Sequence, residues 1–532
     1  MAKLKTPGVY IEEISAFPNS IAQVETAIPA FIGFTEKTLD GNKSLLNTPV
    51  RISSMTQFAQ VYGGAPNYQF QLQEGLVTST ISNKFENFNL SVQGKDYTLQ
   101  RIGNRYRLFD AIRFFYHNGG GDCYIVSVGD YNTDISKGRF DGTDAANPGF
   151  GLPALENETE PTMIVIPEAV SLSAEDCYLV YREVLLHCEK MANRIGIFDV
   201  HNGFKDCQDP TEPTDVIDKF RNEIGNVALK YGAAYYPWLQ TSVIQESELS
   251  FQNLSDESLG PLQELIQSEL NSSGARLRRS FVKDQMDFYS VIHQYTKDYV
   301  AQKTVNPDLD ENPMSEFLHQ ALFRMSPAYK QIIKFMKESL SLIPPASGMA
   351  GIYTMVDNSR GVWKAPANVS MNSVIKPAVE ITQAEQEDLN ITSSGKSINA
   401  IRSFIGEGVL VWGARTLDGN SNEWRYINVV RTMIMLEQSI KAGINAFVFE
   451  PNDANTWAKI KNMTENFLIQ QWKMGALAGA KPDEAFAVKV GLGQTMTAND
   501  ILNGLLKVNI MVAVLRPAEF LVMKIEEKML NS

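Results

Sequence analysis

The feature that most constrains the fold is an alternation of apolar segments and amphipathic segments across residues 162–238. Three short apolar runs are typical of strands buried on both faces: 162–166, 195–200 and 233–238. Ser173 is a helix cap after the first run, and residues 213–229 predict a second helix. Strand–helix–strand–helix–strand order needs right-handed crossovers, so this stretch predicts a largely parallel α/β sheet.

The residues before this stretch predict further strands and a hairpin. Apolar runs at 28–34 and 123–128 are strand-like, and residues 50–62 predict a strand, a serine cap and a short helix. Residues 68–107 alternate polar and apolar side chains around Gly94, which indicates a hairpin. Residues 130–160 are rich in Gly, Asp, Asn and Pro and predict a loop or linker.

Residues 243–343 interrupt the alternation with an almost wholly helical pattern. The apolar stripes that predict these helices are Leu262, Leu265, Ile266 and Leu270, then Phe288, Ile292, Tyr295 and Tyr299, then Phe317, Leu318, Leu322, Ile332, Phe335 and Met336. Pro344 and Pro345 end the run, and the sheet is expected to resume at Gly351. This segment therefore reads as an insertion into a middle domain.

The remaining residues predict a compact α/β segment. Helices are expected at 433–442 and 453–473, and strands at 444–449, 486–490 and 508–515. The helix at 453–473 has an apolar side and a polar side, and residues 520–525 are strand-like at the end of the chain. At the other end, residues 1–20 read as an extended arm bounded by Pro7 and Pro18.

Composition excludes several classes of function. A chain of 532 residues should divide into several domains. Its net charge of −13 opposes nucleic-acid binding, which needs a clustered basic face. No apolar run reaches the roughly 18 residues of a membrane helix, and no secretory signal is expected at the start. Four scattered cysteines indicate no disulfide framework.

Three unusual strings lie close together between Gly351 and Arg431. They are RGVWKAPAN from Arg360, GEGVLVWGARTL from Gly406 and WRYINVVR from Trp424. Each combines tryptophan with arginine or lysine near Gly or Pro, which suits rigid turns and cation–π contacts. With TPGVYIEE near the start, FEPN from Phe449 and RPAEF from Arg516, they resemble the tail sheath proteins of contractile phages and related injection machines.

The resemblance implies an α/β multidomain fold. Residues near both termini would form an inner sheath domain, with a subtilisin-like parallel α/β middle domain and outer insertions between them. The expected segments are an arm at 1–20, a β-rich part at 21–130 with the variable hairpin 68–107, a linker at 131–160, a middle domain at 161–400 carrying the helical insertion 243–343, an inner domain at 401–515 and a second arm at 516–532.

The function that the resemblance implies is that of a structural sheath subunit. Copies would stack as six-fold rings around an inner tube protein, between baseplate and terminal cap proteins, with a second sheath paralogue as a further partner. Assembly would take place in the bacterial cytoplasm, and the product would be a phage tail or a released extracellular particle. Contact with nucleic acid, insertion into a membrane, cofactors and enzymatic activity are not expected.

The candidate site residues are surfaces for assembly. A strand-like arm can pair through main-chain hydrogen bonds with a sheet edge of another copy. If this contact repeats from copy to copy without closing a ring, the copies form a helical filament. The arm residues are Gly8, Val9, Tyr10, Ile11 and Glu12 at one end and Phe520, Leu521, Val522, Met523, Lys524 and Ile525 at the other. Expected inner-tube contacts are Lys459, Lys461, Asn462, Glu465 and Asn466. The structural motif residues are Arg360, Gly361, Trp363, Pro366, Trp412, Gly413, Arg415, Trp424 and Arg431.

The alternative function is an α/β hydrolase whose arms only join subunits. Asp199 and His201 end a predicted parallel strand, where such enzymes place catalytic groups, but no Gly-x-Ser-x-Gly elbow supplies a nucleophile. Gly395-Lys-Ser397 lacks the earlier glycine of a phosphate loop. The cysteines and histidines that could bind a metal match no ligand spacing and favour structural burial: Cys177, His187, Cys188, His201 and Cys207.

Overall fold

The computed structural model describes residues 20–75, 85, 87–207, 215–272 and 313–520. Within these ranges the strands are β1 Pro29–Thr35, β2 Leu39–Asp40, β3 Lys43–Ser44, β4 Val50–Ile52, β5 Gln69–Glu74, β6 Asn87–Val92, β7 Lys95–Ile102, β8 Cys123–Asp130, β9 Met163–Val165, β10 Ile195–Asp199, β11 Gly232–Tyr236, β12 Leu239–Thr241, β13 Leu342–Ile343, β14 Val369–Ser370, β15 Val374–Pro377, β16 Asn399–Phe404, β17 Gly408–Val411, β18 Phe486–Val490 and β19 Val508–Val512.

The α-helices of the same ranges are α1 Met55–Tyr62, α2 Leu108–His117, α3 Lys137–Asp141, α4 Ala174–Met191, α5 Val216–Glu223, α6 Leu259–Ser272, α7 Pro313–Met325, α8 Pro327–Leu340, α9 Ala346–Arg360, α10 Gln383–Asn390, α11 Ile427–Ile444, α12 Ala454–Lys473, α13 Pro482–Ala485 and α14 Ala498–Leu502. The mixed α/β class expected from the sequence is therefore confirmed. Short 3₁₀ helices occupy several connections, including Asn445–Phe447.

These elements form two compact units. The first, here the terminal unit, contains residues 20–26, 359–365 and 428–520 of the described chain. The second, here the sheet unit, contains the described residues of 27–358 and 366–427. The chain thus enters the terminal unit three times, which no local sequence pattern indicates.

The sheet unit is built on nine strands in the order β14-β17-β16-β11-β10-β9-β1-β8-β4. The central strands from β16 to β8 are parallel, and β4, β17 and β14 are antiparallel additions at the edges. Every residue of β1, β9, β10 and β11 is buried, as expected for strands covered on both faces. The predicted β9-α4-β10-α5-β11 alternation is confirmed.

The two predicted insertions of the sheet unit share one hydrophobic core. The antiparallel sheet β5-β7-β6 includes the predicted hairpin, with Gly94 at φ +80° in its turn. Its inner face packs against α6, α7 and α8 through a cluster that includes Phe70, Leu99, Leu265 and Ile332. The hairpin alone is too small to bury its apolar face, and the helices supply the missing cover. Phe288, Ile292, Tyr295 and Tyr299 lie outside the described residues.

Residue Gly351 does not resume the sheet, contrary to the sequence prediction. It lies inside α9, where the structure continues a helix to Arg360. A Cβ at Gly351 would lie 2.5 Å from the Phe115 carbonyl oxygen, and a Cβ at Gly348 would collide with the Phe114 ring. These glycines therefore serve close packing of α9 on α2, although in the sequence they look like turn signals.

The strand predicted at 444–449 is also wrong. Helix α11 continues through Ile444, and the 3₁₀ turn Asn445–Phe447 follows it. Ile440 and Ile444 extend the helical stripe into the core of the terminal unit, whereas Phe449 is fully exposed. With its apolar side chains on a helical period, this segment gains more by extending the helix than by forming a strand.

The helix predicted at 213–229 is shorter than expected. Its described part is α5, which ends at Glu223, and Gly225 at φ +79° follows two residues later. Residues 208–214 lie outside the described part of the chain. The predicted linker at 131–160 is largely irregular but packed, since Phe140, Leu152 and Leu155 are buried. The domain boundaries given above stay predictions.

Candidate assembly surface

The core of the terminal unit joins side chains from three separated parts of the chain. Ile21 from its first segment and Val362 from its second are buried with Met435 of α11 and Phe467 of α12. Ile21 fits so closely that a Cβ at Gly443 would lie 2.5 Å from its Cγ1 atom. Residues 20–26 and 359–365 are too short to hold a core of their own, so both segments depend on packing against residues 428–520.

Buried polar side chains of the WRYINVVR string hold these segments together. Arg431 donates from Nη2 to the Thr26 carbonyl oxygen at 2.8 Å. Asn428 donates from Nδ2 to the carbonyl oxygens of Trp363, at 2.9 Å, and Leu515, at 3.1 Å. Both side chains are almost completely buried, so these bonds form away from competing water.

We expect Asn428→Ala to destabilise the terminal unit by about 2–3 kcal/mol, because it leaves two carbonyl oxygens without their shared donor. Urea unfolding followed by tryptophan fluorescence would measure the loss. Asn455→Ala on the exposed side of α12 is the matched control, with an expected change within about 0.5 kcal/mol. Equal unfolding midpoints for the two variants would contradict this role of Asn428.

The structural motif residues do not form one cluster. Arg360, Gly361, Trp363 and Arg431 belong to the terminal unit, where Gly361 at φ +90° approaches the Trp363 ring. The others belong to the sheet unit: Pro366, Trp412, Gly413, Arg415 and Trp424. The three strings are therefore neighbours along the chain that serve two different cores.

In the sheet unit, the motif residues are organised by Asn399 on β16. Its Oδ1 accepts the Arg415 backbone N–H at 2.8 Å, and its Nδ2 donates to the Arg415 carbonyl oxygen at 2.8 Å. Gly413 lies against Asn399, since a Cβ there would meet Oδ1 at 2.7 Å. The Trp424 ring receives Lys230 Nζ at 4.5 Å from its centroid, so a distant lysine forms its cation–π contact. Trp412 pairs with Phe404 at 4.6 Å.

Helix α12 carries the residues expected to contact an inner tube. Asp453 caps it by accepting the Thr456 N–H, and the predicted helix is confirmed. One side is buried and includes Ile460, Met463, Phe467 and Leu468. On the other side the predicted contact residues are exposed, with Glu465 partly buried: Lys459, Lys461, Asn462, Glu465 and Asn466. Their proposed contact stays a prediction.

Beside α12 lies a two-stranded antiparallel sheet of β18 and β19. Val488 and Val490 are buried, whereas Lys489 and Met511 are exposed. Within the described ranges, neither strand has a third strand beside it, although an isolated antiparallel bridge joins Leu477 to Val514 just after β19. A two-stranded sheet with free edges can accept a further strand through main-chain hydrogen bonds. The sequence analysis predicted both strands but not this property.

The predicted arms fall almost entirely outside the described residues. Gly8–Glu12 and 521–525 are not among them, so their pairing stays a prediction. Phe520 is the last described residue; it has no regular secondary structure and its side chain is 67% exposed.

The residues considered for catalysis have structural partners. Asp199 Oδ1 accepts the Ala346 N–H at the start of α9, at 2.7 Å, and burial raises the pKa of Asp199 to about 7. The His201 Nε2 atom lies 3.0 Å from the Leu172 carbonyl oxygen, to which it donates. Lys396, the lysine of the Gly395-Lys-Ser397 string that resembles part of a phosphate loop, donates from Nζ to the Arg221 carbonyl oxygen at 2.5 Å.

The metal-like residues are dispersed in the structure. Cys177 and Cys188 are buried on α4, and their thiol pKa values are raised by burial. His187 Nε2 lies 3.3 Å from Arg194 Nη1, and the positive charge of this arginine disfavours a metal cation at the same place. Asp206, Cys207 and Glu385 offer ligand atoms within 4.8 Å of one another, yet the cluster is partly exposed and we assign it no ion. Among the described helices, none is both long and apolar enough to cross a bilayer.

Comparison with known proteins connects these features with one class of assembly. Residues 420–528 match the family of the phage tail sheath C-terminal domain. The tail sheath protein of Enterobacteria phage T4 is 28% identical over 138 residues, which are 25% of this chain and 20% of the relative. That of Salmonella phage ViI is 26% identical over 162 residues, or 30% and 25% of the two chains. The chain thus covers a quarter or less of these relatives.

Solved structures share the fold along nearly the whole chain. The sheath complex of PVC, an extracellular contractile injection system, in its contracted state matches with a TM-score of 0.57, 22% identity and 99% coverage of both chains. A chain of the anti-feeding prophage baseplate in its contracted state matches with a TM-score of 0.60, 23% identity and 98% coverage of both. The resemblance to contractile sheath proteins is therefore confirmed, and the hydrolase alternative is not supported.

Proposed function

We propose that this chain is a sheath subunit that polymerises around an inner tube and drives that tube through a target envelope by collective rearrangement. The observation that carries the proposal is the agreement of its fold, over 98–99% of its length, with chains of contractile injection assemblies. The match of residues 420–528 to the phage tail sheath C-terminal domain supports it independently of the overall fold.

In this proposal the two arms, residues 1–20 and 516–532, tie the subunits together. They would add strands to the edges of β18 and β19 in neighbouring copies, because among the described residues neither edge carries a third strand. Such a contact is heterologous, and repeated without closure it generates a helical array of stacked six-fold rings. Baseplate and cap proteins would end the array, and a second sheath paralogue could replace some copies.

The mechanical work would come from packing, with no cofactor. In the extended sheath each subunit would be held in a long-lived packing of higher free energy, and release at the baseplate would let the rings rotate outward in turn. The subunits would move as nearly rigid bodies while the arms stay paired. A middle domain of subtilisin-like topology inserted in the sheath domain would serve as a rigid outer body in this movement.

The polar side of α12 would face the inner tube. We expect the double variant Lys459→Glu/Lys461→Glu to reduce tube-templated assembly at least about tenfold, because it reverses two charges at the proposed contact. Folding should be unaffected, since an exposed pair such as Lys461–Glu465, at 3.8 Å, contributes little to stability. Co-purification of sheath with tube would measure the effect.

A matched control for this prediction is Lys330→Glu/Lys334→Glu on α8. Both control lysines are exposed in the sheet unit, so the variant makes the same change of charge away from the proposed contact. An equal loss in both double variants would assign the effect to net charge, and full assembly of the α12 variant would contradict the inner-tube contact.

Electron microscopy of the purified chain tests the function directly. The expected result is hollow, transversely striated tubes, formed alone or on a co-expressed inner tube protein. In the cell, assembly would take place in the bacterial cytoplasm, and the product would be a phage tail or a released extracellular particle. A chain that stays monomeric under both conditions, at high concentration, would overturn the proposal.

A further inference from the structure

A polar cavity of about 290 Å³ lies in the sheet unit, and the proposed assembly makes no use of it. It opens between the end of β7, the loop that follows β10 and the start of β12. The described residues around it include three arginines and one histidine, but no aspartate or glutamate. The lining thus presents positively charged side chains, and the acidic partner of Arg105, Asp110, lies outside it.

Two of these arginines are buried and held in place. Arg105 is 4% exposed; it donates from Nη2 to the Leu340 carbonyl oxygen at 2.8 Å and lies over the Tyr68 ring at 4.3 Å. Arg107 is 9% exposed; it donates from Nε to Ser171 Oγ at 3.2 Å and lies over the Trp238 ring at 4.9 Å. Their guanidinium groups are therefore preorganised before any ligand arrives.

The buried charge is incompletely neutralised. Arg105 pairs with Asp110 at 3.3 Å, yet its Nη1 atom is buried and has no hydrogen-bond partner. Burial and the neighbouring Arg105 and Arg101 lower the pKa of Arg107 to about 9. Two carboxyls lie near Arg107. Glu168 accepts hydrogen bonds from backbone N–H groups at the start of α2, and Asp199 accepts one at the start of α9. An anion in the cavity would relieve the repulsion and supply acceptors.

One wall of the cavity is aromatic. Phe204 and Trp238 lie there with ring centroids 5.1 Å apart, and Phe85 adds a third ring 6.2 Å from Phe204. The Trp238 indole is anchored by its Nε1 donation to the Val200 carbonyl oxygen at 2.9 Å. A cavity with charged donors at one side and flat apolar rings at another suits a ligand with an anionic head and a planar body.

We propose that this cavity binds a small phosphate ester with a flat apolar body, its phosphate held by Arg105 and Arg107 and its body lying against the Phe204 ring of the aromatic wall. Phosphate is favoured over carboxylate because its dianion can accept hydrogen bonds from several guanidinium groups at once. The volume accommodates a ligand of about the size of a phosphorylated single ring. The site is independent of the proposed role in assembly.

Isothermal titration calorimetry of the full chain with four probes tests the class of ligand. The probes are inorganic phosphate, phenyl phosphate, benzoate and phenol, at constant ionic strength. We expect phenyl phosphate to bind most tightly, inorganic phosphate and benzoate more weakly, and phenol least. Absence of phenyl phosphate binding would overturn the site, and equal or tighter binding of benzoate would overturn the assignment to phosphate.

Variants test the location. Arg107→Gln should weaken phenyl phosphate binding about tenfold or more, as expected for the loss of a charged hydrogen-bond donor. Arg101→Gln, at a half-buried position, should weaken it in the same direction and provides the test if Arg107→Gln fails to fold. Arg221→Gln is the control, since Arg221 is 5% exposed, pairs with Asp388 at 2.8 Å and does not line the cavity. Equal affinity in all the soluble variants would place binding elsewhere and overturn the proposal.

Discussion

Deletion of residues 1–14 is expected to abolish tube formation while both units stay folded. If Gly8–Glu12 adds a strand to a neighbouring copy, its loss removes about four main-chain hydrogen bonds, each worth about 1 kcal/mol. A loss of about 4 kcal/mol per joint lowers the affinity between subunits about a thousandfold. The fold should survive, because Ile21 and the Thr26 carbonyl oxygen, which Arg431 binds, remain.

Sedimentation and electron microscopy would measure assembly, and circular dichroism would measure folding. Single substitutions separate strand pairing from simple loss of chain. Val9→Pro removes one N–H donor and should block tubes, whereas Val9→Thr keeps the donor and a β-branched side chain and should permit them. Ordinary tubes from both the deletion and Val9→Pro would rule out strand donation by the first arm.

The second large effect is on the pH dependence of stability, through the buried carboxyl of Glu168. Its Oε1 accepts the backbone N–H groups of Arg107 and Leu108, at 2.9 and 2.8 Å, where α2 begins. Burial raises the pKa of Glu168 from 4.5 to about 7, despite these hydrogen bonds, which act to lower it. The folded chain therefore holds a proton here across a range in which the unfolded chain has released it.

The direction follows from proton linkage. Between the unfolded pKa of about 4.5 and the folded pKa of about 7, the folded state binds more protons, so the contribution of Glu168 to unfolding free energy falls as pH rises. The total change is at most about 3 kcal/mol. We expect Glu168→Gln to remove this slope, so that the variant gains stability relative to wild type between about pH 5 and pH 8.

Urea-unfolding midpoints at the two pH values would test this prediction in the chain lacking residues 1–14, so that assembly does not contribute. Glu189→Gln is the control, because Glu189 is exposed on α4 and its substitution should leave the pH dependence unchanged. A wild-type and a Glu168→Gln chain with parallel pH profiles would contradict the assigned titration.

The alternation of apolar and amphipathic segments predicts the strands of the central sheet, but it does not show which of these strands lie next to each other. The β9-α4-β10-α5-β11 segment is local, so its order and direction follow from short crossovers. The position of β1 between β8 and β9 depends on contacts between residues about a hundred positions apart, as in the pairs Phe31–Ile125 and Phe31–Val165. No periodicity within β1 encodes those partners.

The candidate assembly surface was predictable to a similar extent. The polar side of α12 follows from its helical period, and β18 and β19 were predicted as strands. That these strands form a separate pair, with no third strand beside them among the described residues, depends on long-range packing. The cationic cavity was missed because Arg101 at the end of β7 and Arg105 and Arg107 in the connection to α2 look like ordinary solvated charges, while His201 and Trp238 come from distant segments.

By itself the sequence determined the α/β class, the type of most elements and the resemblance to contractile sheath proteins, because periodicity and short motifs act over a few neighbouring residues. Only the tertiary structure decided that Gly348 and Gly351 serve helix packing, that the two insertions share a core and that residues 20–26, 359–365 and 428–520 form one unit. These outcomes depend on which distant surfaces exclude water together, and that free energy is a property of the whole packed chain.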